Sequence, residues 1–91
     1  MSADLTSKPR LAPGVRLGEN EGQSVLLMPE RALRLNGPSL EIVQRCDGRH
    51  TVEQIIGELQ QNYSKADPKK IEGDILGYLA LLERERALDF T

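Results

Sequence analysis

Residues 25–35 read Val25-Leu26-Leu27-Met28-Pro29-Glu30-Arg31-Ala32-Leu33-Arg34-Leu35, and the reading of this stretch decides the fold. Pro29 has no N–H to give to a ladder, so Pro29-Glu30 reads as a tight turn between two short strands, Val25 to Met28 and Ala32 to Leu35. Upstream, Gly18 to Gly22 forms a polar turn around Asn20, and the apolar residues before it, Leu11, Val15 and Leu17, are interrupted by Pro13-Gly14. A three-stranded antiparallel meander is expected. Residues 1–9 (MSADLTSKP) are polar and end in a proline, which is the profile of a frayed, disordered terminus.

Downstream of the meander the pattern turns helical. Asn36-Gly37-Pro38 stops the third strand and opens a short helix carrying Leu40, Ile42, Val43 and Cys46, which Asp47-Gly48 closes. Thr51-Val52-Glu53-Gln54 matches a capping box, and Val52, Ile55, Ile56, Leu59 and Tyr63 recur at helical spacing. Asp67-Pro68 supplies an N-cap and a first-turn proline for a third helix to about Arg86, with Ile71, Ile75, Tyr78, Leu79 and Leu82 on its main stripe. Leu76 and Leu81 lie outside that stripe on either side and widen the apolar arc to about 220°. The surplus surface has three open outlets: the sheet, a second copy of the chain, or a bound peptide. The expected class is α+β and winged-helix-like, with three short antiparallel strands followed by three helices.

Ninety-one residues with 12 Lys plus Arg against 14 Asp plus Glu give one small domain's length and a net charge of −2. That balance argues against a sequence-blind nucleic-acid binder and against attraction to anionic lipid. One cysteine, Cys46, and one histidine, His50, leave no disulfide framework and no zinc ligand set. His50 has no nucleophile placed by motif beside it, Cys46 falls on the apolar side of a short helix, and glycines 14, 18, 22, 37 and 48 are scattered through turns. No catalytic constellation, cofactor or metal site is therefore expected. With no signal-peptide-like or membrane-spanning apolar run, a cytoplasmic setting is expected. Two readings from other classes stand beside a binding role. A winged-helix DNA-binding protein would use helix three as its reading element. That helix sets Lys69, Lys70, Arg84 and Arg86 against Asp67, Glu72, Asp74, Glu83 and Glu85, four cations against five anions and the wrong sign for a major-groove helix. A dimerisation module would bury the wide face of helix three in a homodimer.

Several stretches carry a family resemblance. Arg10-Leu11-Ala12-Pro13 with Val15-Arg16-Leu17, the LLxPER stretch within 26–31, Leu33 with Leu35-Asn36, and the CDGR-x-TV stretch from Cys46 to Val52 resemble pyrroloquinoline quinone biosynthesis protein D over about residues 10–88. The resemblance implies a single peptide-recognition domain over 10–91 that does no chemistry itself. It would bind the precursor peptide of pyrroloquinoline quinone and present it to a radical S-adenosylmethionine enzyme, which holds the iron-sulfur clusters and cross-links a Glu and a Tyr of the peptide. Recognition domains of this kind take the peptide as an added strand on the third strand, in a cleft walled by the third helix. By position this assigns Ala32, Leu33, Arg34 and Leu35 on the strand and Asp74, Ile75, Tyr78 and Leu79 on the helix. A proline at Leu33 or Arg34 is expected to remove a donor from that ladder, and Arg31, Arg34, Lys69 and Lys70 are expected to form a basic rim. Ser24 departs from the bulky aromatic that many members carry, and His50 stands where a basic residue is frequent.

Overall fold

The structure is a computed structural model and describes residues 4–35 and 37–91. In chain order it contains β1 (Pro9–Leu11), β2 (Arg16–Asn20), β3 (Gln23–Leu27), β4 (Ala32–Arg34), α1 (Pro38–Gln44), α2 (Val52–Asn62), α3 (Pro68–Arg84) and β5 (Leu88–Phe90). The expected meander is present, β2, β3 and β4 pairing antiparallel in that order, but its first turn is tighter than the expected Gly18 to Gly22 loop, because Gly18, Glu19 and Asn20 pair with Val25, Ser24 and Gln23. Glu21 and Gly22 turn the β2–β3 hairpin with φ of 53° and 78°, the left-handed pair that suits the twist of a two-residue connection.

Two elements add to the expected plan. β1 does not continue into β2 but pairs antiparallel with β5, Pro9 opposite Phe90 and Leu11 opposite Leu88, in a separate two-stranded sheet. β5 exists because α3 stops sharply. The Ala87 N–H returns to the Leu82 carbonyl at 2.9 Å and the Arg86 N–H to Glu83 at 3.0 Å, with Arg86 at φ 63°. These paired bonds are a Schellman termination in which an arginine takes the position that glycine usually holds. Ala87 and Leu88 then turn into the core.

The expected frayed segment divides in two. Residues 1–3 lie outside the described residues. From Asp4 onward the chain is held by the start of α2, where the Val52 N–H donates to Ser7 O at 2.9 Å and the Glu53 N–H to Leu5 O at 3.0 Å. Lys8 exchanges backbone bonds with Thr91, and Pro9 is fully buried. The terminal segment thus satisfies two of the donors that the first turn of any helix leaves unpaired. The expected capping box supplies the rest: Gln54 N–H donates to Thr51 Oγ1 at 3.1 Å, and Thr51 N–H to Gln54 Oε1 at 2.8 Å.

One core joins the layers. Leu26 and Leu35 from the sheet side, Ile55 and Leu59 from α2, Ile75, Leu79 and Leu82 from α3, and Leu88 from β5 are all at most 1% exposed and belong to one cluster. Removing the α2 cap tests this arrangement at one atom. Thr51→Ala is expected to lower stability by about 1 kcal/mol, read as a lower urea midpoint at unchanged slope, while Thr51→Ser stays near the parent.

Candidate functional site

The hydrogen-bonding parity of β4 follows from its side chains. Leu35 is 1% exposed and Leu33 packs against the core, so these two alternate residues face inward. Residues two apart on a strand share both a face and an edge. Leu35 N–H accordingly donates inward to Ser24 O at 2.9 Å, and Met28 and Arg31 exchange backbone bonds at the turn. Between these bonded pairs Leu33 stands opposite Leu26, while Ala32 and Arg34 stand opposite Leu27 and Val25 at the non-bonded positions. The N–H and C=O groups of Ala32 and Arg34 therefore point to the other edge of β4, which among the described residues pairs with no strand. Their side chains lie on the exposed, non-core face of the sheet.

Beside that edge runs α3. Asp74, Tyr78, Leu81 and Glu85 recur at i, i+4, i+7 and i+11 and form one stripe. Three observations set the stripe against the segment from Arg31 to Ser39. Glu85 forms an ion pair with Arg31 of the β3–β4 turn, the Tyr78 phenol is hydrogen-bonded to the Ser39 side chain, and Asp74 lines a pocket together with Pro38. Tyr78 is half-buried, and its burial pushes the phenol above its usual range while the Ser39 bond works the other way.

The residues assigned by position divide accordingly. Ala32, Arg34 and Asp74 are exposed, and Leu33 and Tyr78 are half-buried at the cleft. Leu35, Ile75 and Leu79 are at most 1% exposed and act as core beneath the cleft rather than as its surface. Leu81, 37% exposed, shares the stripe of Tyr78 although it falls outside the main apolar stripe of the helix. The expected basic rim is largely neutralised by the same helix: Arg31 pairs with Glu85, and Lys70 Nζ lies 2.9 Å from Asp74.

The CDGR-x-TV stretch builds the hinge between α1 and α2. Cys46 is 4% exposed and its thiol donates to Ile42 O at 3.2 Å. Gly48 has φ 77° and donates its N–H to Pro9 O, with Arg10 Cβ 3.5 Å from where a Gly48 Cβ would stand. Asp47 accepts from the Arg49 and His50 backbone N–H groups at 2.8 and 3.1 Å and meets His50 Nδ1 at 3.0 Å. Partial desolvation opposes its ionisation, but the Arg49 N–H and the His50 ring and N–H outweigh it and hold Asp47 at about 2. Burial, with the Asp47 charge nearby, pushes the Cys46 thiol up to about 12. Glu58 joins the hinge to α2 by accepting from Arg45 Nε at 2.8 Å. Among the described residues no group of acidic, histidine or cysteine side chains could hold a metal ion, and no helix is long and apolar enough to cross a membrane.

A meander followed by three helices, with an open strand edge beside the third, is a winged-helix-like α+β arrangement. Residues 23–88 match the family model of coenzyme PQQ synthesis protein D (PqqD). The chain is 39% identical over 84 residues to a PqqA binding protein of Xanthomonas oryzae pv. oryzae, covering 90% of each chain. It is 46% identical over 83 residues to the bifunctional coenzyme PQQ synthesis protein C/D of Methylorubrum extorquens, covering 89% of this chain but only 22% of that longer protein. It also superimposes on the solution structure of the PqqD truncation of Methylobacterium extorquens PqqCD with a TM-score of 0.77 and 42% identity, over 97% of this chain and 95% of that one. That truncation is described as a functional, stand-alone recognition element for ribosomally synthesised and post-translationally modified peptides. The chain belongs to the PqqD family.

Two measurements check the hinge. An acid depressed on folding stabilises the fold above its unfolded pKa, about 4, and loses that contribution as pH falls toward 2. The stability advantage of the parent over Asp47→Ala is therefore expected to be full above about pH 4 and to narrow between pH 4 and 2 in urea titrations. Cys46 is expected to resist iodoacetamide at pH 8 in the folded protein and to react once urea unfolds it, because alkylation requires the thiolate.

Proposed function

We propose that this protein recognises the precursor peptide of pyrroloquinoline quinone, takes it as an added strand on the outer edge of β4, and presents it to a radical S-adenosylmethionine enzyme without performing catalysis itself. The observation that carries this reading is the pair of outward-facing backbone groups on Ala32 and Arg34, lying beside a helix stripe that is apolar at Tyr78 and Leu81. Membership of the PqqD family, and relatives named for PqqA binding, support it.

A strand added at this edge would bond to Ala32 and Arg34 and place alternate side chains on two faces. Those on the core side would meet Leu33, Tyr78 and Leu81, and the others would lie beside Ala32 and Arg34 on the exposed face. Backbone bonds give affinity with little sequence information, whereas the apolar wall rewards apolar residues at every second position. Cys46 is buried with its thiol pushed up to about 12, so it is not poised as a nucleophile at neutral pH. The cross-linking chemistry, and the clusters it needs, belong to the enzyme.

The parity of β4 sharpens the test. Leu33→Pro would remove the inward bond to Leu26 and damage the sheet itself, so it reports on folding. Arg34→Pro instead removes an outward donor. It is expected to weaken binding of the precursor peptide by about 1 to 3 kcal/mol while the fold persists. Arg34→Ala keeps that donor and is expected to weaken binding mildly, by an amount that fades with added salt. Isothermal titration of both variants checks this; equal losses for Pro and Ala would contradict strand addition at this edge.

A further inference from the structure

Where α1, α2 and α3 converge, a pocket of about 170 Å³ opens next to the Pro38 and Asp74 end of the cleft. Its walls are apolar: Pro38 and Ile42 from α1, Leu59 and Tyr63 from α2, and Ile71 and Ile75 from α3. Its shape is set in advance. The Tyr63 hydroxyl donates to the Glu41 carboxylate, which also accepts from Asn62 Nδ2 at 3.0 Å, so the ring is tied to the wall by its polar end. Lys70 and Asp74, paired with each other at 2.9 Å, stand at the mouth.

We infer that this pocket receives one apolar side chain of the same peptide that pairs with β4, a residue of leucine to phenylalanine size lying beyond the strand-paired segment. The inference rests on the proposed strand addition and extends it to a second point of contact. Size is the first argument, since a cavity of roughly 150 Å³ holds a benzene-sized group. Chemistry is the second. The polar side chains of the lining are already engaged, the Tyr63 hydroxyl with Glu41 and Lys70 with Asp74, so the apolar interior has no uncommitted polar side chain to orient a free metabolite. A side chain tethered to a backbone already held on β4 needs no such group. Continuity is the third, because Asp74 and Ile75 on adjacent positions of α3, and Pro38 just past β4, bring the pocket to the end of the cleft. The division of labour follows: the edge strand holds the backbone, and the pocket selects a residue by shape.

Ala66 offers a way to block the pocket without touching the core, because it lines the mouth and is exposed in the loop between α2 and α3. Isotope-labelled protein, parent and Ala66→Leu, would be titrated with the synthetic precursor peptide, following Ile42, Ile71 and Ile75 methyl signals and the Ala32 and Arg34 amides. The expected result is that peptide moves both sets in the parent, and that Ala66→Leu binds about 10- to 30-fold more weakly, with the β4 amides still shifting at higher peptide concentration. Replacing one apolar peptide residue outside the strand-paired stretch by alanine should reproduce that loss in the parent and add little in Ala66→Leu. Unmoved methyl signals at saturation, or an unchanged Kd for a folded Ala66→Leu, would overturn the pocket assignment while leaving strand addition intact. Methyl shifts without β4 amide shifts would overturn strand addition instead, and absence of any binding would overturn both.

Discussion

The open edge depends on the parity of four residues, Ala32 to Leu35. Because Leu33 and Leu35 must face the core, their amides must face β3, and Ala32 and Arg34 are left to present both side chain and backbone outward. A slip of one residue would bury Arg34 and expose two leucines, which the core does not tolerate. The packing that stabilises the sheet is therefore the same constraint that fixes which backbone groups the open edge offers. Exposed edges invite uncontrolled pairing, and here the edge is only three residues long and runs beside α3, so what can pair with it is restricted to a short extended segment that also fits the helix stripe.

Much of this was legible in the sequence where a residue type has one physical role. Pro29, Thr51 with Gln54, and Asp67-Pro68 each mark a boundary by chemistry that leaves few alternatives, whereas the polar run Gly18 to Gly22 signals a turn without showing that only Glu21 and Gly22 make it and that Gly18 to Asn20 are strand. β1 and β5 were not legible because each is three residues long and neither makes sense without the other. The stop of α3 was hidden for a specific reason: Arg86 occupies a left-handed position that a glycine would have announced. Order from Leu5 to Lys8 likewise depends on distant partners, the Leu5 and Ser7 carbonyls meeting the first turn of α2 and Lys8 meeting Thr91, and no local pattern encodes those pairings.

The candidate site shows the same division. Periodicity sets Ile75 and Leu79 on an apolar face, and the positional match to the family names them as peptide contacts, but neither signal says that this face is sealed in the core. Leu81, part of the surplus apolar surface whose outlet the sequence leaves open, lies three residues from Tyr78 on the same stripe. The signature stretch around Cys46 and Gly48 carries the family resemblance through structure: a buried thiol, a left-handed glycine bonded to Pro9, and a carboxylate that closes the turn into the α2 cap. Its role in this fold is to fix the angle between α1 and α2, which in turn sets Tyr63 and the walls of the helical pocket.

Amide hydrogen exchange on β4 tests the central claim most directly, because it reads the donors themselves. In the free protein Leu33 and Leu35 should exchange slowly and Ala32 and Arg34 fast; with saturating precursor peptide Ala32 and Arg34 should become protected while Leu33 and Leu35 change little. Fast exchange at Ala32 and Arg34 in the saturated complex would contradict strand addition at this edge.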